Sequence, residues 1–134
     1  DMNNYTAEAD VMTDGDRRTK SNIGLINQRY IFALIGNGQK LEIVSNYDRF
    51  RHSVPFSFKT NIWYTLKTRV DILEDGTGMI RAKAWPKSAE EPDQWTIEVA
   101  HETPHLQGAP GVYAMSPQSK KKVYFDNLSI RYNN

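Results

Sequence analysis

Apolar and polar positions alternate with period two along most of the chain, and no segment carries an apolar stripe at helical spacing. The clearest stretch is NIWYTLKTRVDIL, residues 61 to 73. Tyr64, Leu66, Val70 and Ile72 share one face, and Trp63, Lys67, Arg69 and Asp71 share the other. That predicts a long strand with one face buried. YTAEADV does the same, with Tyr5, Ala7, Ala9 and Val11 opposed to Thr6, Glu8 and Asp10. IGLINQRYIFALI splits near Asn27 to Arg29 into two strands. Asn37-Gly38 then marks a hairpin, because both central positions of a type I′ turn favour positive φ, and KLEIV returns with Leu41 and Ile43 inward. RFRHSVPF reads as a short edge element, since Pro55 cannot donate to a central ladder. EDGTG is a tight turn into MIRAKAW, with Ile80, Ala82 and Ala84 inward and Arg81, Lys83 and Trp85 outward. PKSAEEPDQ is a surface excursion without pattern, and WTIEVA places Trp95, Ile97 and Val99 on the inner face.

The closing stretch KKKVYFDNLSIRY changes phase. Val123 and Phe125 share a face, whereas Leu128 and Ile130 have the opposite parity. One inserted residue near Asp126-Asn127 restores an apolar inner side, so a β-bulge is expected there. Together these elements predict an all-β fold, a two-sheet antiparallel sandwich spanning residues 1–134 as a single domain.

Composition narrows the partners more than it identifies them. A chain of 134 residues with three Trp, seven Tyr and five Phe can fill a sandwich interior. The net charge of +1 gives no electrostatic case for nucleic acid. The absence of cysteine excludes disulfides and thiolate metal sites within this sequence. No apolar run is long enough for a membrane-spanning helix, so no membrane insertion is expected. The sequence starts at Asp1, and excision from a longer polypeptide is the expectation.

WYTLKTRV, the arginine-bearing return strand ending in Trp85, then W-T-I, G-x-P-G-V-Y and the closing V-Y-F-D-N-L-S-I together form a recognisable series. It resembles the concanavalin A-like (laminin G/legume lectin) jelly rolls of bacterial exported proteins. Within these it looks closest to modules related to the 3-keto-disaccharide hydrolase domain family and to levan-binding carbohydrate-binding modules. PFSFKTNIWYTLKTRVDILEDG followed by RAKAWPKSAEEPDQWTIEV also resembles the C-terminal module of bacterial quinoprotein-like β-propeller proteins. The resemblance implies an extracytoplasmic, periplasmic or secreted setting. Its members usually carry a further strand ahead of the YTAEADV type, where only DMNN stands here. A missing edge favours a partner, either the remainder of the parent polypeptide or a partner subunit.

Three groups of residues are candidates for chemistry. The outward row Lys67, Arg69, Asp71, Arg81, Lys83 and Trp85, with Arg29, Trp63 and Tyr47 as neighbours, is a candidate polysaccharide or glycan platform: a sugar ring stacks on the aromatic while charged groups meet its hydroxyls. The same alternation of charges also suits an ion-paired, solvated face. In lectin-like relatives a structural calcium often sits near the terminal strands, which singles out Glu8 and Asp126; alternatively Asp126 satisfies the backbone at its bulge. His101 and His105 have the spacing of a helical metal pair, but Pro104 between them argues against a helix. Glu90, Glu91 and Asp93, and Glu42 with Asp48, are the carboxylates available for hydrolysis, and neither set is tied to a rigid element. No serine elbow, phosphate loop or HExxH is present. The expected function is therefore a non-catalytic carbohydrate-binding or accessory module, with a structural or protein-interaction domain as the alternative.

Overall fold

The computed structural model describes residues 2–15, 20–45, 49–116 and 121–134. No described residue is helical. The strands are β1 (Tyr5–Thr13), β2 (Asn22–Asn27), β3 (Tyr30–Ile35), β4 (Lys40–Ser45), β5 (Arg51–Pro55), β6 (Tyr64–Ile72), β7 (Gly78–Pro86), β8 (Ile97–His101), β9 (Gly111–Met115) and β10 (Val123–Tyr132). They form two antiparallel sheets, ordered β10-β1-β6-β7-β8 and β5-β4-β3-β2-β9, packed face to face as a jelly-roll-like sandwich.

The period-two pattern reaches the core as expected. Tyr5, Ala7, Ala9, Val11, Leu66, Val70, Ile80, Ala82 and Ala84 meet Ile23, Leu25, Phe32, Leu34, Leu41 and Ile43 between the sheets. Val99, Phe125 and Ile130 are partly buried against this cluster. Trp95 is not part of it. The strand starts only at Ile97, and the tryptophan turns to the outer face, where it lines a cleft with Thr6, Lys67 and Arg69. One polar clasp crosses the core: Asn27 of β2 donates to the Tyr5 carbonyl and to Thr68 Oγ1 of β6, 3.0 and 3.1 Å away.

The bulge lies where the phase change placed it. Glu8 pairs with Ser129 but Asp10 with Asp126, so Ala9 faces both Asn127 and Leu128. Asn127 takes a φ of 54°, which asparagine tolerates better than most residues. Leu128 nonetheless stays 53% exposed, because β10 is an edge strand and little packs over its free side.

The hairpins distribute their strain differently from the sequence expectation. Asn27 pairs directly with Tyr30, so Gln28 and Arg29 form the two-residue turn, with φ of 52° and 70°. The β3–β4 loop has four residues between Ile35 and Lys40, and its positive φ falls on Gln39, not on Asn37 or Gly38. Asn37 instead accepts a hydrogen bond from the Lys20 N–H. The Gln39 side chain also donates to the Gly36 carbonyl and accepts the Phe58 N–H, which ties the loop to the segment after β5.

Candidate functional site

The outer face of the first sheet carries the charged row singled out above, but the register sets like charges opposite one another. Lys67 pairs with Lys83, and Arg69 with Arg81. Directly opposed like charges destabilise a sheet, so each pair needs an anion between its members. Asp71 serves the arginines, with its Oδ2 2.8 Å from Arg69 Nε and 3.5 Å from Arg81 Nη1. Arg81 also donates to Glu98 at 2.6 Å. The lysines recruit their anion from outside the sheet. Residues 87–96, the supposed excursion 86–94 extended through Trp95 and Thr96, fold back so that Glu91 sits 2.9 Å from Lys67 Nζ and 2.8 Å from Lys83 Nζ.

Lys83 further donates to the Pro92 carbonyl and lies 4.9 Å from the centre of the Trp95 ring. Burial pushes the Glu91 carboxyl up, but the hydrogen bonds and charges of Lys83 and Lys67 outweigh it and hold the group below its ordinary value. Under this arm Lys83 and Trp85 are only 6% and 7% exposed. The expected exposed stacking surface at Trp85 is therefore absent. Trp85 has the outward parity foreseen for it, yet it is packed and not presented.

Arg29 lies away from that row, in the β2–β3 turn, where its backbone and side chain lie against Gly108. Trp63 flanks the covered face, with its carbonyl accepting the Lys87 N–H. Tyr47 and Asp48 lie outside the described residues.

At the terminal strands the organising carboxylate is Asp10, which the sequence reading passed over. It is nearly buried and accepts hydrogen bonds from Thr65 at 2.8 Å and Asn127 at 2.6 Å, with Lys87 Nζ at 2.9 Å. Burial pushes its pKa up, but these three donors together outweigh it, for a net downward shift. Asp126 accepts the Asn127 N–H at the bulge, 2.8 Å away. Glu8 is two ladder positions further along β1. Among the described residues no three His, Asp or Glu side chains come together to hold a metal.

His101 and His105 do converge, around an aromatic cluster. Tyr30 Oη is 2.6 Å from His101 Nδ1 and accepts the His105 N–H, and Phe50 stacks on His101 at 4.1 Å. This joins loop 102–110 to the end of the second sheet.

A further depression lies on the opposite side of the molecule. A groove of about 460 Å³ runs over the outer face of the second sheet. One ladder row explains its shape: Ser53, Glu42, Ala33, Gly24 and Tyr113 are successive cross-strand partners from β5 to β9. The two smallest side chains sit mid-row, so the surface dips there. Glu42 stands on one flank and the Tyr113 ring on the other, while Ile31, Ile35 and Val44 extend an apolar floor. A Cβ on Gly24 would meet the Phe32 carbonyl, so only glycine fits at that place in the row. Glu42 is 8% exposed and is held by Lys40 and Arg51, at 3.3 and 3.0 Å. No other carboxylate lines the groove among the described residues. Nothing in the local pattern pointed here, because Tyr113, Gly24 and Glu42 meet only through the strand register.

Compared with protein-family models, curated proteins and solved structures, the chain matches none.

Proposed function

We propose that the chain is a non-catalytic carbohydrate-binding module, an accessory part of a larger exported protein, and that it holds its glycan in the groove of the second sheet. The observation that carries this reading is the row Glu42–Ala33–Gly24–Tyr113. It leaves a ring-sized dip with an aromatic ring on one side and a fixed carboxylate, flanked by two cations, on the other. A pyranose lays its C–H face against the tyrosine and turns its hydroxyls to Glu42 and Arg51, as small-ligand sites combine apolar walls with a few fixed polar groups. The single carboxylate of the described lining supports retention over hydrolysis, which uses two.

The test is retention of the intact chain on a panel of insoluble and arrayed polysaccharides, beside Tyr113→Ala. Half-buried Tyr113 lies on an edge strand, so the variant keeps its fold, and retention falls at least tenfold. The reading fails if no polysaccharide is retained, or if Tyr113→Ala binds as well as the parent. An interaction module is the second reading, favoured by the exposed Val112 and Leu128 on edge strands β9 and β10. Co-purification with a protein through those edges, without glycan retention, would select it.

A further inference from the structure

A second cleft lies on the first sheet, at the end of the ionic face that the 87–96 arm does not close. It is about 270 Å³ in volume, and Thr6, Lys67, Arg69, Trp95, Arg131, Tyr132, Asn133 and Asn134 line it. Its base is another ladder row, in which Thr6 of β1 pairs with Arg131 of β10 on one side and Arg69 of β6 on the other. The short threonine between two long guanidinium side chains leaves the hollow. Among the described residues, three cationic side chains and no acidic side chain line it.

Two of those cations already have anions: Lys67 meets Glu91, and Arg69 gives its Nε and Nη2 to Asp71. Among the described residues the Arg69 Nη1 has no partner, and Arg131 makes no ion pair. Glu8, next along β1, sits across the ladder from Lys67 without forming a salt bridge. Trp95 and the 63% exposed Tyr132 supply aromatic surface at the walls. The Thr6 hydroxyl and the Asn133 side chain are joined at 2.6 Å and supply the polar groups of the floor.

We propose that this cleft binds an acidic sugar, a uronate residue within a polysaccharide, with its carboxylate between Arg131 and Arg69 and its ring against Trp95 or Tyr132. Planar guanidinium groups suit a carboxylate, and the aromatic walls suit the apolar face of a pyranose. The Asn133 amide is already given to the Val70 carbonyl and Asp71 and its oxygen accepts the Thr6 hydroxyl, so the Thr6 oxygen is the acceptor a ring hydroxyl can use, one that an acidic peptide side chain would leave unused. The site is independent of the groove on the second sheet, so each can fail alone.

The experiment titrates the full chain with a uronate oligosaccharide, following tryptophan fluorescence and calorimetry. Its comparators are a neutral oligosaccharide of equal length, inorganic phosphate and poly-glutamate. Saturable, salt-sensitive binding of the uronate is expected, at least tenfold tighter than any comparator. Arg131→Gln, an exposed substitution, should weaken it about tenfold without moving Tm, whereas Tyr113→Ala should leave it unchanged. Equal affinity for phosphate or poly-glutamate overturns the proposal, as does undiminished uronate binding by Arg131→Gln.

Discussion

On the β1–β6–β7 face, nearly every side chain turned away from the core is polar, and the structure spends an arm of ten residues, 87–96, to neutralise and cover it. On the β4–β3–β2 face the outward side chains include Ile31, Ala33, Ile35 and Val44, and the groove over them stays open. Charge content at a surface is thus a poor guide to whether that surface is left open. Opposed lysines and arginines demand anions, and the nearest chain segment supplies them. Apolar groups demand nothing so specific, and a shallow apolar face flanked by one fixed carboxylate is left available.

The contrast is broken most severely by removing the anion under the arm. Glu91→Gln leaves Lys67 and Lys83 directly opposed, with Lys83 almost fully covered. Loss of one partner of a fully buried pair costs about 3–5 kcal/mol. The Glu91 side chain is 41% exposed, so solvent screening reduces the expectation to about 1–3 kcal/mol. Urea unfolding measures this directly, with Glu90→Gln next to it expected to stay within about 0.5 kcal/mol of the parent. Trp95 and Trp85 fluorescence should shift to the red as the arm lifts. A Glu91 variant as stable as Glu90→Gln would show that the arm merely rests on the face.

The inner faces were legible because alternation states them on each strand separately: Leu66, Val70, Ile80 and Ala82 needed no partner to be identified. The bulge at Asn127 was legible for the same reason, since a parity change within one strand has a single geometric remedy. The outer faces were not, because their meaning depends on register. Trp85 had the right parity, but nothing local says that it would be packed away, or that residues 87–96 return over its neighbour Lys83. Trp95 was assigned to a strand that begins two residues later, at Ile97. Asp10 looked like one polar position among three on β1 until Thr65, Lys87 and Asn127 were found to converge on it. Ile31, Ala33 and Ile35 fell in a stretch read as a strand with no face assigned, and only the cross-strand row places Gly24 between Ala33 and Tyr113.

Acid sharpens the difference between the two faces at a smaller scale. Asp10 and Glu91 both have pKa values below their ordinary ones, so each binds protons more readily in the unfolded chain. Their contribution is complete above about pH 4–4.5, the unfolded range, and is lost as the pH falls through the lower folded values. Stability measured between pH 6 and 2.5 should therefore drop below about pH 4. In Asp10→Asn that drop should be shallower, by the order of 1 kcal/mol, from a lower starting point. An Asp10→Asn profile parallel to that of the parent would mean that Asp10 is not among the groups linking this face to pH.

The smallest expected effect concerns calcium at the terminal strands, where two expectations compete. If Glu8 and Asp126 hold the ion, saturating calcium should stabilise the fold by about 2.7 kcal/mol at a hundred times the dissociation constant, and chelation should remove the gain. The hydrogen bonds argue the other way. Calcium takes six to eight oxygen ligands. Asp126 Oδ1 already accepts the Asn127 N–H, and Asp10 between the two strands is engaged by Thr65, Asn127 and Lys87. A divalent ion drawn to this corner would also have to displace or face the Lys87 ammonium. The expected result is a melting curve that superimposes in millimolar calcium and in chelator, for the parent and for Asp126→Asn alike. A calcium-dependent rise in Tm, abolished by Asp126→Asn, would instead make the ionic face a metal site and end its description as a self-neutralised surface.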